Sequence, residues 1–172
     1  AVAAGTPTPE ALCNLGRALI GQGRCAEAVG PLESALRAKP GMVEALFNLA
    51  IASTESGDVP GAVACYEEAV AGDPSRVAAW RGLGAVRLEL GDTAGARAAL
   101  ERALAIAPAD AQSHGKLGLA LLTDGVMPRG WHEYEWRWKS ANYRPMPVLS
   151  VPLWGVWADK YSRKAVIIRS AL

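Results

Sequence analysis

Trp80-Arg81-Gly82-Leu83-Gly84-Ala85-Val86-Arg87-Leu88-Glu89-Leu90-Gly91-Asp92-Thr93-Ala94-Gly95-Ala96-Arg97-Ala98-Ala99-Leu100-Glu101-Arg102-Ala103-Leu104-Ala105-Ile106-Ala107-Pro108 is the run from which the architecture follows. It holds two stretches with apolar residues at helical spacing, parted by Gly91-Asp92 and closed by Pro108. A glycine just past a helix takes the left-handed conformation without a Cβ cost, and an aspartate after it caps the next helix. The run therefore reads as a helix hairpin. Small Ala96 lets the two helices approach, and larger Leu100, four positions on, fills the space toward the next unit.

Outward from this hairpin, the same residue types recur every 34 positions. Leu15, Leu49, Leu83 and Leu117 form one series, and Gly23, Gly57, Gly91 and Gly125 a second. Glu33, Glu67, Glu101 and Glu135 form a third, and Pro40, Pro74 and Pro108 a fourth. In the second unit Val43, Leu46, Leu49 and Ala50 make one apolar stripe, and Ala62, Tyr66, Ala69 and Val70 make another. Ala28, Ala62 and Ala96 share the small position, and Leu32, Tyr66 and Leu100 the large one. A hairpin of this kind cannot bury its stripe alone, so the units are expected to stack into a ribbon with one concave and one convex face.

The pattern resembles the tetratricopeptide repeat, whose large-residue, Leu-Gly, small-Ala and closing-Pro positions are met by Trp80, Leu83-Gly84, Ala96, Ala103 and Pro108. The resemblance covers residues 9–144 as units 9–42, 43–76, 77–110 and 111–144. It implies an all-α, right-handed superhelical solenoid of about four hairpins. The fourth unit departs from the pattern: His114 stands at a large apolar position, Gly130 at the small-Ala position and Asn142 at the closing Pro.

Composition changes after residue 127. Five of the six tryptophans lie beyond it, and basic side chains outnumber acidic ones eight to three there, against ten to fourteen before it. Gly130 to Trp138 (GWHEYEWRW) keeps the repeat register and is expected to be the second helix of the fourth hairpin. Pro145, Pro147 and Pro152 then favour an extended connection, and Ala165-Val166-Ile167-Ile168 reads as a buried strand without its sheet. GWHEYEWRW, followed by Pro152-Leu153-Trp154-Gly155 and by Lys164 to Arg169, resembles the junction at which bacterial tetratricopeptide proteins run into a glycosyltransferase-like domain akin to the O-linked N-acetylglucosamine transferases. On that resemblance, residues 145–172 are a linker and the start of a truncated second domain; residues 1–8, without a basic-then-apolar signal pattern, read separately as a disordered or linker N-terminus or a processed end. The glycine-rich turn and double-Rossmann site of such transferases have no counterpart here, so no catalysis and no cofactor are expected of these residues.

In the repeat family the first helix of each hairpin lines the concave face. The resemblance places Asn14, Asn48, Gly82 and Lys116 at the sixth position of the four units, with Glu10, Cys13, Arg17, Glu44, Phe47, Glu55, Arg81, Glu89 and Gln112 around them. Successive asparagine amides can serve the backbone of an extended peptide, and the transferase relatives carry such a ladder at this register. Arg17, Arg81 and Lys116 offer cations to a carboxylate or an acidic peptide. The expected groove is thus Asn14, Arg17, Glu44, Phe47, Asn48, Arg81 and Lys116, and the expected partner a protein or extended peptide. Docking of acceptor proteins for a transferase, and self-association through residues 145–172, are the alternatives.

Other classes are disfavoured. The net charge of +1 argues against a general nucleic-acid or acidic-membrane binder, and no apolar run is long enough to span a bilayer. Cys13, Cys25 and Cys65 lack metal or redox spacing and read as buried free thiols, which with the missing signal pattern points to the cytoplasm. His114 and His132 have no partner at metal-site spacing and are expected in ordinary packing, as are Trp131, Tyr134, Trp136 and Trp138. The aligned glutamates are expected to pair with nearby arginines or to cap the adjacent hairpin.

Overall fold

The structure, a computed structural model, describes residues 7–136. Those residues form α1 (Pro9–Gly21), α2 (Cys25–Ala38), α3 (Val43–Glu55), α4 (Val59–Gly72), α5 (Val77–Glu89), α6 (Thr93–Ile106), α7 (Ala111–Thr123) and α8 (Met127–Tyr134). No strand occurs among the described residues. The strand and proline-rich connection expected after residue 144 lie outside them, as do Trp138 and Asn142.

Each hairpin turns at one of the periodic glycines. Gly23, Gly57, Gly91 and Gly125 have φ of 76°, 85°, 77° and 76°. After each glycine the next residue's N–H reaches back to a carbonyl five residues earlier, as in Asp58 to Ser53 and Asp92 to Arg87, both at 2.9 Å. The glycine's own N–H reaches three residues back, Gly57 to Thr54 at 3.1 Å and Gly91 to Leu88 at 3.0 Å. This double closure satisfies carbonyls that the helix end leaves open, and only the left-handed glycine permits it. Asp58 and Asp92 cap the following helices, accepting from Gly61 N at 3.1 Å and Gly95 N at 2.9 Å. Arg24 and Val126, at the same register, provide no side-chain cap.

Within each hairpin the two helices pack on each other, and each even helix also packs on the next odd one. The odd helices touch in sequence, α1 with α3, α3 with α5 and α5 with α7, whereas no even helix touches another even helix. The odd layer is therefore the tighter one. Leu32, Leu100, Ala28, Ala62 and Ala96 are fully buried between the helices. One buried cluster gathers Leu46, Tyr66, Val70, Leu83 and Val86, and another Leu100, Leu117 and Leu121.

The leucine series shows where the stack stops among the described residues. Leu49, Leu83 and Leu117 are 9%, 2% and 1% exposed, but Leu15 is 49% exposed. Its register predicted a core position; α1 has no described even helix before it to supply the other wall. Of the three thiols expected to be largely buried, Cys13 is buried and Cys25 and Cys65 are half-buried, Cys65 packing against the core.

Candidate functional site

The odd-helix layer carries the expected groove residues, and the structure sorts them into committed and uncommitted groups. Glu44 at the start of α3 receives both Arg76 guanidinium nitrogens, Nη1 at 2.7 Å and Nη2 at 3.0 Å. Arg76 Cζ lies 4.4 Å over the Phe47 ring, which meets Tyr66 edge-on at 6.1 Å. The bidentate pair and the ring stack hold one another in place. Hydrogen bonding from Arg76 keeps the Glu44 carboxyl below its usual range, with a further contribution from the charge of Arg17. Burial pushes the Tyr66 hydroxyl up.

Arg81 is committed as well. Its Nη1 donates to both Asp110 oxygens at 3.1 and 3.2 Å, and Asp110 in turn accepts from Ser113 N at 3.1 Å and Ser113 Oγ at 2.5 Å as the cap of α7. Burial of Asp110 opposes its ionisation, but the Ser113 and Arg81 hydrogen bonds outweigh it and hold the carboxyl below the ordinary range. The cation thus joins the third and fourth hairpins instead of facing outward.

The two asparagines do not form equivalent rungs. Asn14 is exposed and accepts from Arg17 Nη2 at 3.0 Å. Asn48 is only 6% exposed, with its amide nitrogen on Cys13 Sγ at 3.6 Å. The third position is empty for a packing reason: a Cβ on Gly82 would sit 2.5 Å from Cε1 and Cζ of the Tyr66 ring. Lys116, at the fourth position, is half-buried and has no ion-pair partner among the described residues. Arg17, likewise without an ion pair, is exposed. Leu119 on α7 is 49% exposed. Glu10 pairs with Lys39 at 3.0 Å, and Glu55, Glu89 and Gln112 are exposed.

Arg76, Asp110 and Tyr66 were missing from the sequence-based groove. Their signal was charge and size at the next unit's boundary: Glu44 to Arg76 spans 32 residues, and Arg81 to Asp110 spans 29. The aligned glutamates do recruit arginines in part, Glu67 to Arg87 at 2.6 Å and Glu101 to Arg129 at 2.8 Å. No group of three or more metal-ligating side chains occurs among the described residues. No helix among them is long and apolar enough to cross a membrane.

Comparison with known proteins places this arrangement. The family profile described as tetratricopeptide repeat matches residues 13–63, 54–111 and 86–126. That match does not reach the stretch whose sequence resembles the transferase junction, most of which lies outside the described residues. No curated protein matches the chain. Among solved structures, a crystal structure of MamA superposes with a TM-score of 0.75 at 23% identity, over 81% of this chain and 84% of that one. MamA 41-end from Desulfovibrio magneticus RS-1 gives 0.69 at 27% identity, over 74% and 72%. The first TPR of Spaghetti (RPAP3), a structure bound to the HSP90 peptide SRMEEVD, gives 0.67 at 22% identity, over 73% and 99%. With the 34-residue period, the glycine turns and the stacked hairpins all agreeing with a profile that spans most of its length, the chain belongs to the tetratricopeptide repeat family.

Proposed function

We propose that this chain is a protein-interaction module without chemistry of its own, and that a peptide or protein segment lies along the concave layer of odd helices in a right-handed solenoid. The observation that carries this reading is the sorting of charge on that layer. Arg76 and Arg81 are tied to carboxylates, whereas Arg17 and Lys116, on the first and last odd helices, form no ion pair among the described residues, Arg17 acting only at longer range on the Glu44 that Arg76 already holds. Unpaired cations on a curved helical wall favour a segment bearing carboxylates. The peptide-bound domain of RPAP3, which shares the fold, supports the use of such a surface for peptides. Asn14 takes part in this reading beside Arg17, while Asn48 contributes by ordering the wall.

Selection from a displayed random heptapeptide library against the full chain tests it. Selected peptides are expected to carry Asp or Glu, and Arg17→Glu or Lys116→Glu to weaken a synthesised consensus peptide by about fivefold. Arg102→Glu, an exposed change on α6, is expected to leave affinity unchanged. Peptides whose affinity ignores both groove reversals, or follows Arg102→Glu instead, would overturn the proposal.

The runs at 130–138, 152–155 and 164–169 support a second reading, in which the groove docks acceptors for a linked transferase. A reading frame that continues past the Leu172 codon into a glycine-rich turn would favour it, and a stop codon there would remove it.

A further inference from the structure

His114 is the one ring on an odd helix whose two nitrogens both face acceptors. Nε2 lies 2.8 Å from the Pro108 carbonyl oxygen, and Nδ1 lies 2.5 Å from Glu133 Oε2. A carbonyl oxygen has lone pairs and no hydrogen, so Nε2 carries the proton of that bond. A neutral imidazole then leaves a bare lone pair on Nδ1 pointing at a carboxylate oxygen. A second proton between them, on His114 or on Glu133, makes that contact a hydrogen bond. Both side chains are little exposed, at 13% and 14%, and the imidazole stacks on Trp136 with centroids 4.1 Å apart and planes 15° apart. Little water therefore replaces the lost bond when that proton leaves.

We propose that the α7–α8 hairpin is a proton-dependent clasp, closed around the shared His114–Glu133 proton and loosened when it is lost. Among the described residues, the cations nearest the pair have stronger partners elsewhere. On α8, Arg129 stands 3.9 Å from the other Glu133 oxygen but gives its shorter bond, 2.8 Å, to Glu101 of α6. On α5, Arg81 is held by Asp110. His132 precedes Glu133 in α8 in an exposed position, and Glu135 follows the end of that helix. Histidine is the side chain whose charge can change between pH 5 and 8, so that is the range in which the clasp is tested. The direction follows from linkage: the closed hairpin binds one proton more than the open one, so its stability falls as pH rises.

The third hairpin supplies the internal control. Trp80, at the same register, makes the equivalent bond from Nε1 to the Pro74 carbonyl at 2.9 Å, with a donor that does not titrate.

Hydrogen exchange and imidazole ¹⁵N spectra of the full chain between pH 5.5 and 8.5 test the proposal. Both His114 nitrogens are expected protonated at the lower pH. Protection factors of the α8 amides, corrected for intrinsic exchange, are expected to fall about tenfold on raising the pH, the loss of one hydrogen bond to a charged group. Those of α5 and α6 are expected to stay constant. Glu133→Gln, whose amide can donate to a neutral imidazole, should flatten the α8 response, and His114→Trp should do the same if it folds. Equal loss of protection in α6 and α8, or an α8 response unchanged in Glu133→Gln, would overturn the clasp.

Discussion

In the third hairpin an indole N–H closes on the Pro74 carbonyl, and 34 residues later an imidazole closes on that of Pro108. The backbone acceptor is kept while the donor changes. The helix contact changes in the same way. A Cβ on Gly84 of α5 would meet Leu100 side-chain atoms, whereas a Cβ on Gly118 of α7 would meet the Tyr134 backbone, with Gly130 O at 2.8 Å. The third hairpin is thus spaced by side chains and the fourth, at Gly118, by backbone, while a Cβ on Gly130 would meet Cδ2 and Cγ of Leu122 at 2.9 Å. Asp92 caps α6, and Val126 leaves α8 uncapped. One repeat register tolerates two kinds of closure because it specifies where groups meet and not which groups meet.

The strongest way to test whether these hairpins are separate units is to remove what they share. Leu100 of α6 is fully buried and packs with Leu117 and Leu121 of α7. Leu100→Ala is expected to cost about 3 kcal/mol and to unfold both hairpins in one transition. Leu15→Ala, at the half-exposed member of the leucine series, is expected to cost well under 1 kcal/mol, or roughly the effect of an ordinary surface change. Denaturant titration followed by circular dichroism reads both, and similar losses would break the assignment of Leu15 to an open end.

Next in size is the glycine contrast. Gly118→Ala must move backbone and is expected to cost about 3 kcal/mol at most and about 2 at least, whereas Gly84→Ala meets side-chain atoms of Leu100 alone, Cγ nearest, and should cost about 1. Equal destabilisation would mean that α7 and α8 approach no more closely than α5 and α6. Smaller again are the caps. Asp92→Ala is expected to lose about 1 kcal/mol, and Val126→Asp to recover about half that by supplying the missing acceptor for α8. A neutral Val126→Asp in thermal melts would show that α8 gains nothing from the cap its neighbour uses.

The smallest effect is acid sensitivity at the seam between the two hairpins. Ser113 and Arg81 hold the Asp110 carboxyl below its ordinary range against the opposing pull of burial. A depressed carboxyl stabilises above the usual carboxylate range, and that contribution is lost as pH falls through the folded-state value. Asp110→Asn is therefore expected to narrow the difference in melting temperature between pH 7 and pH 3. A difference as large as in the unaltered chain would dismiss Asp110 as its source. This response runs opposite to that of the His114 clasp, so the two can be told apart in one pH series.

The helices, their turns and the buried leucines were legible because each follows from a few neighbouring residues: Gly57 with Asp58, or Ala62 with Tyr66. The groove was legible only as a list of positions. Asn48 and Asn14 share a register, yet Asn48 is closed in against Cys13, which lies 35 residues earlier. Arg81 and Arg17 both read as free cations, yet Asp110 claims the first. His114 and Trp136 were both expected to pack, but neither their stacking nor the Glu133 contact follows from spacing along one helix. Trp131, expected to pack, is 49% exposed although it touches Tyr134 edge-on.

The amino-acid sequence by itself determined the period, the helix hairpins, the left-handed glycine at each turn and the apolar stripes, because these rest on interactions within a few residues. The tertiary structure alone decided which groove charges stay unpaired, which asparagine faces outward and how the last hairpin closes. Those outcomes depend on side chains about 20 to 35 positions apart, brought together only when one hairpin stacks on the next, where a charge is either matched by a neighbour or left unmatched.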